Sequence, residues 1–433
     1  MEEGGHLAIV PSKKVVASAK KTVKPRSARK GEPSFFMSDE MRRLSTPWSV
    51  ASIRASQIDP TSLPAGVILD AAAGSGVQLI AFSNLLSRPA LGIELDEGIA
   101  KLCAANMHLN SDGEVQRTLD RVLVGDGCEA DSAIGKYWAS LRESGTRAHP
   151  PVAMLHIDPE RPRDAQNHSI DEMRPDLKSL LKSWSGLLQV GPKGPAILLD
   201  LSPRLDTVQR AMVDGIIETT FPGCHRTWEW LSRGGGRVDR LSVWIGSISS
   251  EATRRCIRVG TKKVMSVIEG EPSGATVESF NSALEVPKGA FITIVDPALI
   301  ECGLQNSWLR KAVVKGTGYS WIRTEGRRPL LIHTDDISKE DEVRGFVVAT
   351  GKIVHQRLSA PELHTLDQVA SSVAKKGIGK ITLRCNLDPD IHPTLQRRIS
   401  RELKGVDGGK GFMVDMELQR PNGPQKLYIV CKE

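Results

Sequence analysis

Short apolar segments alternate with longer, helix-patterned segments through the first half of the chain. The apolar segments lack the polar alternation of a half-exposed strand, and stretches with helical spacing of their apolar residues follow them. Strands that are apolar on both faces and joined by helices form a parallel sheet covered on both sides. The predicted strands are Val67–Asp70, Ala90–Glu94, Val122–Asp126, Ala153–Asp158 and Ala196–Leu201, and the predicted helices cover residues 76–87, 97–109 and 171–188.

The pattern changes after the fifth strand. Two strand-like runs, Arg226–Leu231 and Arg240–Ile245, flank the glycine-rich segment 232–238. They predict an antiparallel hairpin at the edge of the sheet. The first half of the chain therefore predicts an α/β fold with a Rossmann-like sheet of seven strands.

A shift in composition near residue 250 marks a boundary, and smaller α+β domains are expected beyond it. Residues 253–345 alternate short strands with one clear helix after Pro297. The last stretch, 346–433, predicts an order of strand, helix, strand, helix and two closing strands. After the opening strand these elements are a helix over 365–376, Lys380–Cys385, a helix over 393–404, Gly411–Gln419 and Gln425–Cys431.

A glycine-rich turn follows the first predicted strand and is the first candidate cofactor site. It begins at Asp70 and includes Ala72, Gly74 and Gly76. The two glycines allow a ligand to approach the backbone closely and leave the N–H groups of the next helix available. A dinucleotide-binding dehydrogenase would have a third glycine at position 79, which is Leu79 here, so its fingerprint is broken.

Acidic residues end the next two strands. Glu94, 24 residues after Asp70, is placed to accept hydrogen bonds from both ribose hydroxyls of a nucleoside cofactor; the alternative is a carboxylate that stabilises a helix N-terminus. Asp126 is placed to accept a hydrogen bond from the exocyclic amine of adenine. The alternative role for Asp126 is an Asx-type turn. A dehydrogenase does not require this third element, so the pattern favours S-adenosylmethionine.

The fourth and fifth strand ends carry the candidate residues for catalysis. Asp158 and Pro159 form an acid–proline turn, and methyltransferases that act on an amino group use such a turn to hold the target nitrogen. Glu160 and Arg161 replace the second proline and the aromatic residue of that motif. Ser202 stands where uracil-C5 enzymes need a cysteine nucleophile, which disfavours a covalent adduct and leaves direct transfer to a nitrogen or oxygen.

Further candidate contacts to a substrate are Arg161, Ser202, Arg204 and Trp228. The predicted hairpin combines tryptophans with arginines, a mixture that can stack on nucleic acid bases and pair with phosphates. Core packing is the alternative explanation for Trp228, because period-two alternation puts it on one face with Trp230.

Several motifs together resemble class I S-adenosylmethionine-dependent methyltransferases that carry a small ferredoxin-like domain and a C-terminal THUMP-like domain. Asp200, where a lysine is usual, and Glu301, where an arginine is usual, depart from the family pattern. The segments that carry the resemblance are Thr46-Pro47 with Arg54-Ala55, Asp70–Gly76, Ile157–Arg161, Leu201–Asp206, Trp228–Ser232 and Val295–Leu304.

The resemblance implies methyl transfer from S-adenosylmethionine, with Asp70, Ala72, Gly74, Gly76, Glu94 and Asp126 at the cofactor and Asp158 and Pro159 at the acceptor. By analogy the THUMP-like domain implies RNA, either tRNA or rRNA, as the substrate. The expected organisation is a disordered basic tail (1–33), a helical segment (34–64), the methyltransferase domain (65–250), a ferredoxin-like region (251–345) and the THUMP-like domain (346–433).

Charge and composition refine this expectation. Residues 1–32 carry eight lysines and arginines against three glutamates, so most of the net charge of +7 lies in this segment. Without aromatic residues the segment is expected to be unfolded, and it is able to contact RNA by counterion release. The seven cysteines are scattered singly, which predicts no metal site and a reducing, cytoplasmic environment.

No apolar run is long enough for a membrane span, and the sequence does not indicate an oligomeric state. Two rival functions stay open at this point. One is methylation of a protein or a small molecule. The other is a non-catalytic RNA-binding protein with a relict cofactor pocket.

Overall fold

The computed structural model describes residues 5–159, 170–273, 289–420 and 423–433. The chain divides into two compact units. The first unit comprises Met1–Trp230, Asp239–Arg254 and Val259–Val264, and the second comprises Leu231–Val238, Arg255–Arg258 and Met265–Glu433. Among the described residues, no helix is both long and apolar enough to cross a lipid bilayer.

The helices and strands follow the predicted order closely in the first half of the chain. In chain order up to residue 250 they are β1 (Leu7–Ile9), α1 (Lys13–Thr22), α2 (Asp39–Leu44), α3 (Trp48–Ala55), β2 (Val67–Asp70), α4 (Val77–Leu86), β3 (Ala90–Glu94), α5 (Glu97–Asn110), α6 (Glu114–Leu119), β4 (Arg121–Val124), α7 (Ala130–Glu143), β5 (Val152–Ile157), α8 (Leu177–Trp184), β6 (Val190–Gly191), β7 (Gly194–Leu201), α9 (Thr207–Thr220), β8 (Arg226–Ser232) and β9 (Arg240–Ile245).

The second half of the chain is richer in strands. In chain order its elements are β10 (Arg254–Val259), β11 (Val264–Gly270), β12 (Phe291–Val295), α10 (Pro297–Glu301), α11 (Gln305–Ala312), β13 (Tyr319–Arg323), β14 (Leu330–His333), α12 (Asp341–Arg344), β15 (Val347–Leu358), α13 (Leu366–Ala374), β16 (Ile378–Leu383), α14 (His392–Glu402), β17 (Gly409–Arg420) and β18 (Gly423–Lys432).

The first sheet has the strand order β1-β4-β3-β2-β5-β7-β9-β8-β10-β11, with β6 on β7. The five predicted parallel strands are confirmed: β2 pairs in parallel with β3 and β5, and the outer pairs β3–β4 and β5–β7 are also parallel. Strand β9 pairs antiparallel with β7. The sheet has more strands than the seven predicted. Strand β1 extends it beyond β4, and β10 and β11 extend it beyond β8.

The order of the strands locates the functional edge of the sheet. From β2 the chain proceeds outward through β3 and β4, and it then returns to β5 on the other side of β2. In open α/β sheets, ligands bind beside the carboxyl ends of the strands at such a reversal. The relevant edge is therefore where β2 and β5 end together.

The N-terminal segment is folded where the structure describes it, so the predicted disorder of residues 1–33 is wrong for residues 5–33. Strand β1 pairs antiparallel with β4, with Leu7 opposite Val124. In helix α1, Val16 and Ala19 are buried together with Phe36 and Ala105. The prediction failed because it rested on the composition of the segment alone, which is too poor in apolar residues to form a core. Helix α1 instead packs its apolar residues against α5.

The strands from β12 to β18 form one sheet where two domains were predicted. Its strand order is β13-β14-β12-β15-β18-β17-β16. Strand β12 pairs antiparallel with both β14 and β15, so the predicted boundary at residues 345 and 346 lies inside a single sheet. The predicted helices and strands of 346–433 are present in the predicted order, with β17 and β18 forming the closing hairpin.

We expect Ala19→Asp to release α1 from the first unit. Ala19 is 4% exposed, and an unpaired carboxylate at that position costs several times the free energy of an ordinary surface substitution. Limited trypsin digestion of the variant should cleave rapidly after Lys20 and Lys21, as followed by mass spectrometry. Ala17→Asp is the matched control, because Ala17 lies on the exposed side of the same helix; equal cleavage of the two variants would show that α1 is not packed.

Candidate functional site

A cleft of about 1170 Å³ opens at the carboxyl ends of the parallel strands in the first unit. Most of the predicted site residues contribute to its wall, although they are far apart in sequence. This volume exceeds the range of roughly 300–1,000 Å³ that is usual for one small ligand, so it offers room for two reactants. The predicted residues that line it are Asp70, Ala72, Gly74, Glu94, Asp126, Asp158, Pro159 and Ser202.

Glu94 is fixed at the end of β3 by two backbone hydrogen bonds. Its Oε2 accepts from the N–H of Gly74 at 2.9 Å, and its Oε1 accepts from the N–H of Asp96 at 3.0 Å. Burial raises the pKa of this carboxyl, although the two backbone donors oppose the shift. The contact ties the end of β3 to the glycine-rich turn, so both elements present one surface to the cleft.

Gly74 has a φ of +51°, and a Cβ added to it would meet no atom within 4 Å. The backbone at Gly74 therefore needs glycine for its left-handed conformation and leaves open space above the turn. Gly76 differs: a Cβ there would lie 2.8 Å from Sγ of Cys103, and Gly76 is not part of the cleft wall. The assignment of Gly76 to ligand contact is corrected, since this glycine permits helix α4 to pack closely on α5.

Asp126 lies in the cleft wall just beyond β4, and the turn that was considered as its alternative role is also present. Its Oδ1 accepts from the N–H of Cys128 at 2.8 Å. Its backbone carbonyl oxygen lies 3.0 Å from Nε2 of His6, whose Nδ1 lies 3.0 Å from Oγ of Ser132. The folded N-terminal segment therefore supports this strand end directly.

A buried histidine connects the ends of three strands beneath the cleft. Nδ1 of His156 lies 2.8 Å from Oδ2 of Asp70, and its Nε2 lies 3.3 Å from Oδ2 of Asp200. Burial opposes the charged imidazolium, but the two carboxylates outweigh burial and raise the pKa of His156 to about 9. His156 is thus a core residue that carries a positive charge at neutral pH.

Two arginines complete this buried network. Arg54 contacts both oxygens of Asp200, with Nη1–Oδ2 at 2.8 Å and Nη2–Oδ1 at 2.5 Å. Arg240 places Nη1 2.9 Å from Oδ2 of Asp200 and 3.1 Å from Oδ2 of Asp158. Burial would raise the pKa of Asp200, but the two guanidinium groups hold it well below its usual range.

Charges balance within this network, which we call the buried charge network. It contains the three carboxylates of Asp70, Asp158 and Asp200, and the three cations Arg54, His156 and Arg240. Buried ions are tolerated when each has a partner of opposite charge and good geometry. The buried carboxylate of Asp200 is therefore matched by two surrounding arginines.

Asp158 is the member of the network that reaches the cleft. Its Oδ2 accepts from Nε2 of Gln78 at 2.7 Å as well as from Arg240, and its side chain is 36% exposed. Pro159 follows it in the cleft wall. Gln78 and Arg240 thus hold the Asp158 carboxylate in place, while part of it faces the cavity.

Two further predicted residues, Trp228 and Arg204, are not part of the cleft wall. Trp228 is 6% exposed and its Nε1 donates to Oδ1 of Asp214 at 3.1 Å, so its assignment to base stacking is corrected and its role is core packing. Arg204 is exposed on the surface outside the wall. Arg161 lies outside the described residues.

Sequence analysis assigned no role in the site to four members of the buried charge network, or to Gln78, which donates to Asp158. The four are Arg54, His156, Asp200 and Arg240. One signal was present: Arg54 lies in helix α3 between Ile53 and Ala55, which are both buried, and a buried arginine requires a partner. In the part of the chain that the structure describes, no three His, Cys, Asp or Glu side chains converge as a metal site.

Comparison with solved structures finds methyltransferases among the similar chains. A candidate methyltransferase from Porphyromonas gingivalis W83 is similar, with a TM-score of 0.55 and 16% identity over 93% of this chain and 85% of that chain. A precorrin-6y C5,15-methyltransferase from Geobacter metallireducens GS-15 matches 49% of this chain and 93% of that chain (TM-score 0.31, 14% identity). An O-methyltransferase from Bacillus cereus in complex with SAH matches 55% of this chain and 93% of that chain (TM-score 0.27, 15% identity).

No protein-family model and no curated protein sequence matches the chain. The similarity to the Porphyromonas gingivalis structure extends along nearly the whole of both chains. The protein therefore has a methyltransferase-like α/β fold.

We expect His156 to make stability depend on pH above neutrality. Because its folded pKa is raised from 6.5 to about 9, its stabilising contribution is complete below pH 6.5 and is lost as the pH rises through 9. The shift corresponds to a contribution on the order of 3 kcal/mol to the free energy of unfolding. Urea unfolding measured from pH 6 to 10 should show this decline in the native protein and a much flatter profile in His156→Gln.

The matched control for this prediction is His149→Gln, because His149 is an exposed histidine in the same unit. It should keep the native pH profile. A native-like decline in His156→Gln would show that other groups cause it.

Proposed function

We propose that this protein is an S-adenosylmethionine-dependent methyltransferase that methylates a base nitrogen in RNA. The observation that supports it best is the convergence of Glu94, Asp126 and Asp158 on one cleft at the reversal of strand order. Two of these carboxylates suit the ribose and adenine of a nucleoside cofactor, and the third suits a nitrogen that carries a proton.

The residues present fit the cofactor. The open backbone at Gly74 provides a place for the close approach of the methionine and ribose portions. Glu94 supplies acceptors for ribose hydroxyls, and Asp126 supplies an acceptor for the adenine amine. S-adenosylmethionine, when bound, supplies a methyl group already activated by its sulfonium.

Asp158 would orient the acceptor by receiving a hydrogen bond from its N–H and stabilising the positive charge that develops on nitrogen during transfer. Gln78 and Arg240 hold the carboxylate in one position. Such fixed alignment of the reacting atoms is the main source of acceleration that we assign to this protein.

RNA is the substrate class that we favour, with tRNA or rRNA as the candidates. The support is the resemblance of the second unit's sequence to ferredoxin-like and THUMP-like domains, together with the exposed lysines and arginines of residues 13–30. The rivals are a protein or small-molecule substrate, and an RNA-binding protein without catalysis. Substrate binding that is insensitive to salt would favour the first rival.

We expect Glu94→Ala to weaken S-adenosylmethionine binding about tenfold or more, because the variant loses the acceptors for the ribose and the bond that holds Gly74. Isothermal titration calorimetry measures this directly. Glu97→Ala is the control, since Glu97 is exposed near the same strand end, where its Oε1 lies 2.6 Å from Nζ of Lys101. Absence of S-adenosylmethionine binding by the native protein would support the relict-pocket alternative.

We expect Asp158→Ala to lower methyl transfer about 100-fold or more while S-adenosylmethionine affinity stays within about threefold. Asp131→Asn, an exposed position on α7, is the control and should retain native turnover. Unchanged turnover in Asp158→Ala would remove the site assignment.

The substrate is identified by mass spectrometry of nucleosides from cells with and without the protein. The expected result is the loss of a single methylated nucleoside, restored by the native protein and not by Asp158→Ala. An unchanged nucleoside profile would turn the search to proteins and small molecules.

A further inference from the structure

Four cations of the second unit surround a single carboxylate. The cations are Arg323 at the end of β13, Arg328 just before β14, Arg384 just after β16, and Lys426 in β18, and the carboxylate is Asp415 in β17. We call these five residues the basic cluster. Its formal charge is three positive, in contrast to the balanced buried charge network of the first unit.

Asp415 neutralises only one side of the basic cluster. Its Oδ2 lies 3.3 Å from Nζ of Lys426, and its Oδ1 lies 3.6 Å from Nη1 of Arg323. The same Oδ1 accepts from the N–H of Asn386 at 2.8 Å. The buried carboxylate is therefore fully engaged by these neighbours.

Arg328 and Arg384 are half-buried, and no described carboxylate lies within ion-pair distance of either. Nη1 of Arg328 donates to the carbonyl oxygen of Cys385 at 2.5 Å, which fixes one edge of its guanidinium. Nε of Arg384 is buried and has no hydrogen-bond partner among the described residues. Burial, and then the nearby charge of Arg384, lower the pKa of Arg328.

Like charges that converge away from water cost free energy unless an anion accompanies them. Phosphate suits this place because guanidinium groups bind it through paired, charge-assisted hydrogen bonds. We propose that the basic cluster of the second unit is a phosphate-binding site, and that an RNA backbone phosphate occupies it. The site is separate from the cleft and from the residues assigned to catalysis.

The choice of RNA rests on the proposed function, whereas the phosphate chemistry does not. A free phosphate or a small phosphorylated molecule would use the same donors. The two sources are distinguished by the probes below.

The first probe is fluorescein-labelled unfractionated tRNA, with binding to the full-length protein followed by anisotropy at several salt concentrations. Arg328→Gln combined with Arg384→Gln should weaken binding about tenfold or more and lower the salt slope by up to about two. Arg397→Gln combined with Arg401→Gln removes the same charge from exposed positions on α14. Equal losses in the two double variants would overturn the proposal, because they would reduce it to general electrostatics.

A second variant moves the affinity in the opposite direction. Asp415→Asn retains a side-chain oxygen for the N–H of Asn386 and raises the formal charge of the basic cluster to four positive. We expect it to bind tRNA or phosphate several-fold more tightly than the native protein. If the cluster exists only as a salt-bridge network, Asp415→Asn lowers the thermal melting temperature without tighter binding, which overturns the proposal.

The second probe is inorganic phosphate, measured as a shift in the melting temperature. One informative outcome is that phosphate stabilises the native protein but not the Arg328→Gln/Arg384→Gln variant, while the two proteins bind tRNA equally well. This outcome would support the phosphate site and overturn RNA as the source of the phosphate. Failure of both probes would overturn the site itself. Calorimetry with S-adenosylmethionine on the same variants keeps the two proposals apart, since the basic cluster should not affect cofactor affinity.

Discussion

Asp200 is a carboxylate with almost no access to water, and its ionisation requires the two guanidinium groups of Arg54 and Arg240. This pairing joins helix α3 and strands β7 and β9. His156 extends it to Asp70 at the glycine-rich turn, and Arg240 extends it to Asp158 in the cleft. Removing one partner of a buried ion pair costs more than the pair contributes, since the other charge is left unsatisfied. The geometry beneath the cleft therefore depends above all on the fully buried members of the buried charge network, Asp200, Arg54 and His156.

One consequence is that the cofactor side and the acceptor side of the cleft share one buried support. Asp70 begins the turn that carries Gly74, while Asp158 lies across the cleft, and a chain of charge contacts of 3.3 Å or less links the two. Such contacts are strong where water is excluded, so they hold the two ends in a fixed relative position. A mechanism based on alignment benefits from this rigidity because reacting atoms must meet within narrow tolerances.

Local pattern was sufficient to predict the parallel sheet, and strand ends such as Asp70 and Glu94 were placed correctly. This success has a simple physical basis, since apolar runs of strand length and parallel topology bring their carboxyl ends to one edge. Charge pairing could not be predicted in the same way. Arg54 and Asp200 are 146 residues apart. The sequence alone does not indicate which buried carboxylate pairs with which arginine.

The errors share one cause: the sequence analysis treated each segment as if it had to fold by itself. Helix α1 obtains its apolar partners from α5 and Phe36. Trp228 is buried, and its Nε1 donates to Asp214 instead of facing the cleft. The domain boundary near residue 345 failed for the same reason. Segments with weak local signals become ordered when distant parts of the chain supply what they lack.

The pairing of β12 with β15 has an implication for how such a protein arises by recombination. A gene fusion that carried only residues 346–433 into another protein would bring β15 with one side bare, exposing a row of backbone N–H and C=O groups. An exposed strand edge of that kind invites pairing between copies and precipitation. The two halves of this sheet are therefore expected to be inherited as one piece, even where their sequences suggest separate ancestry.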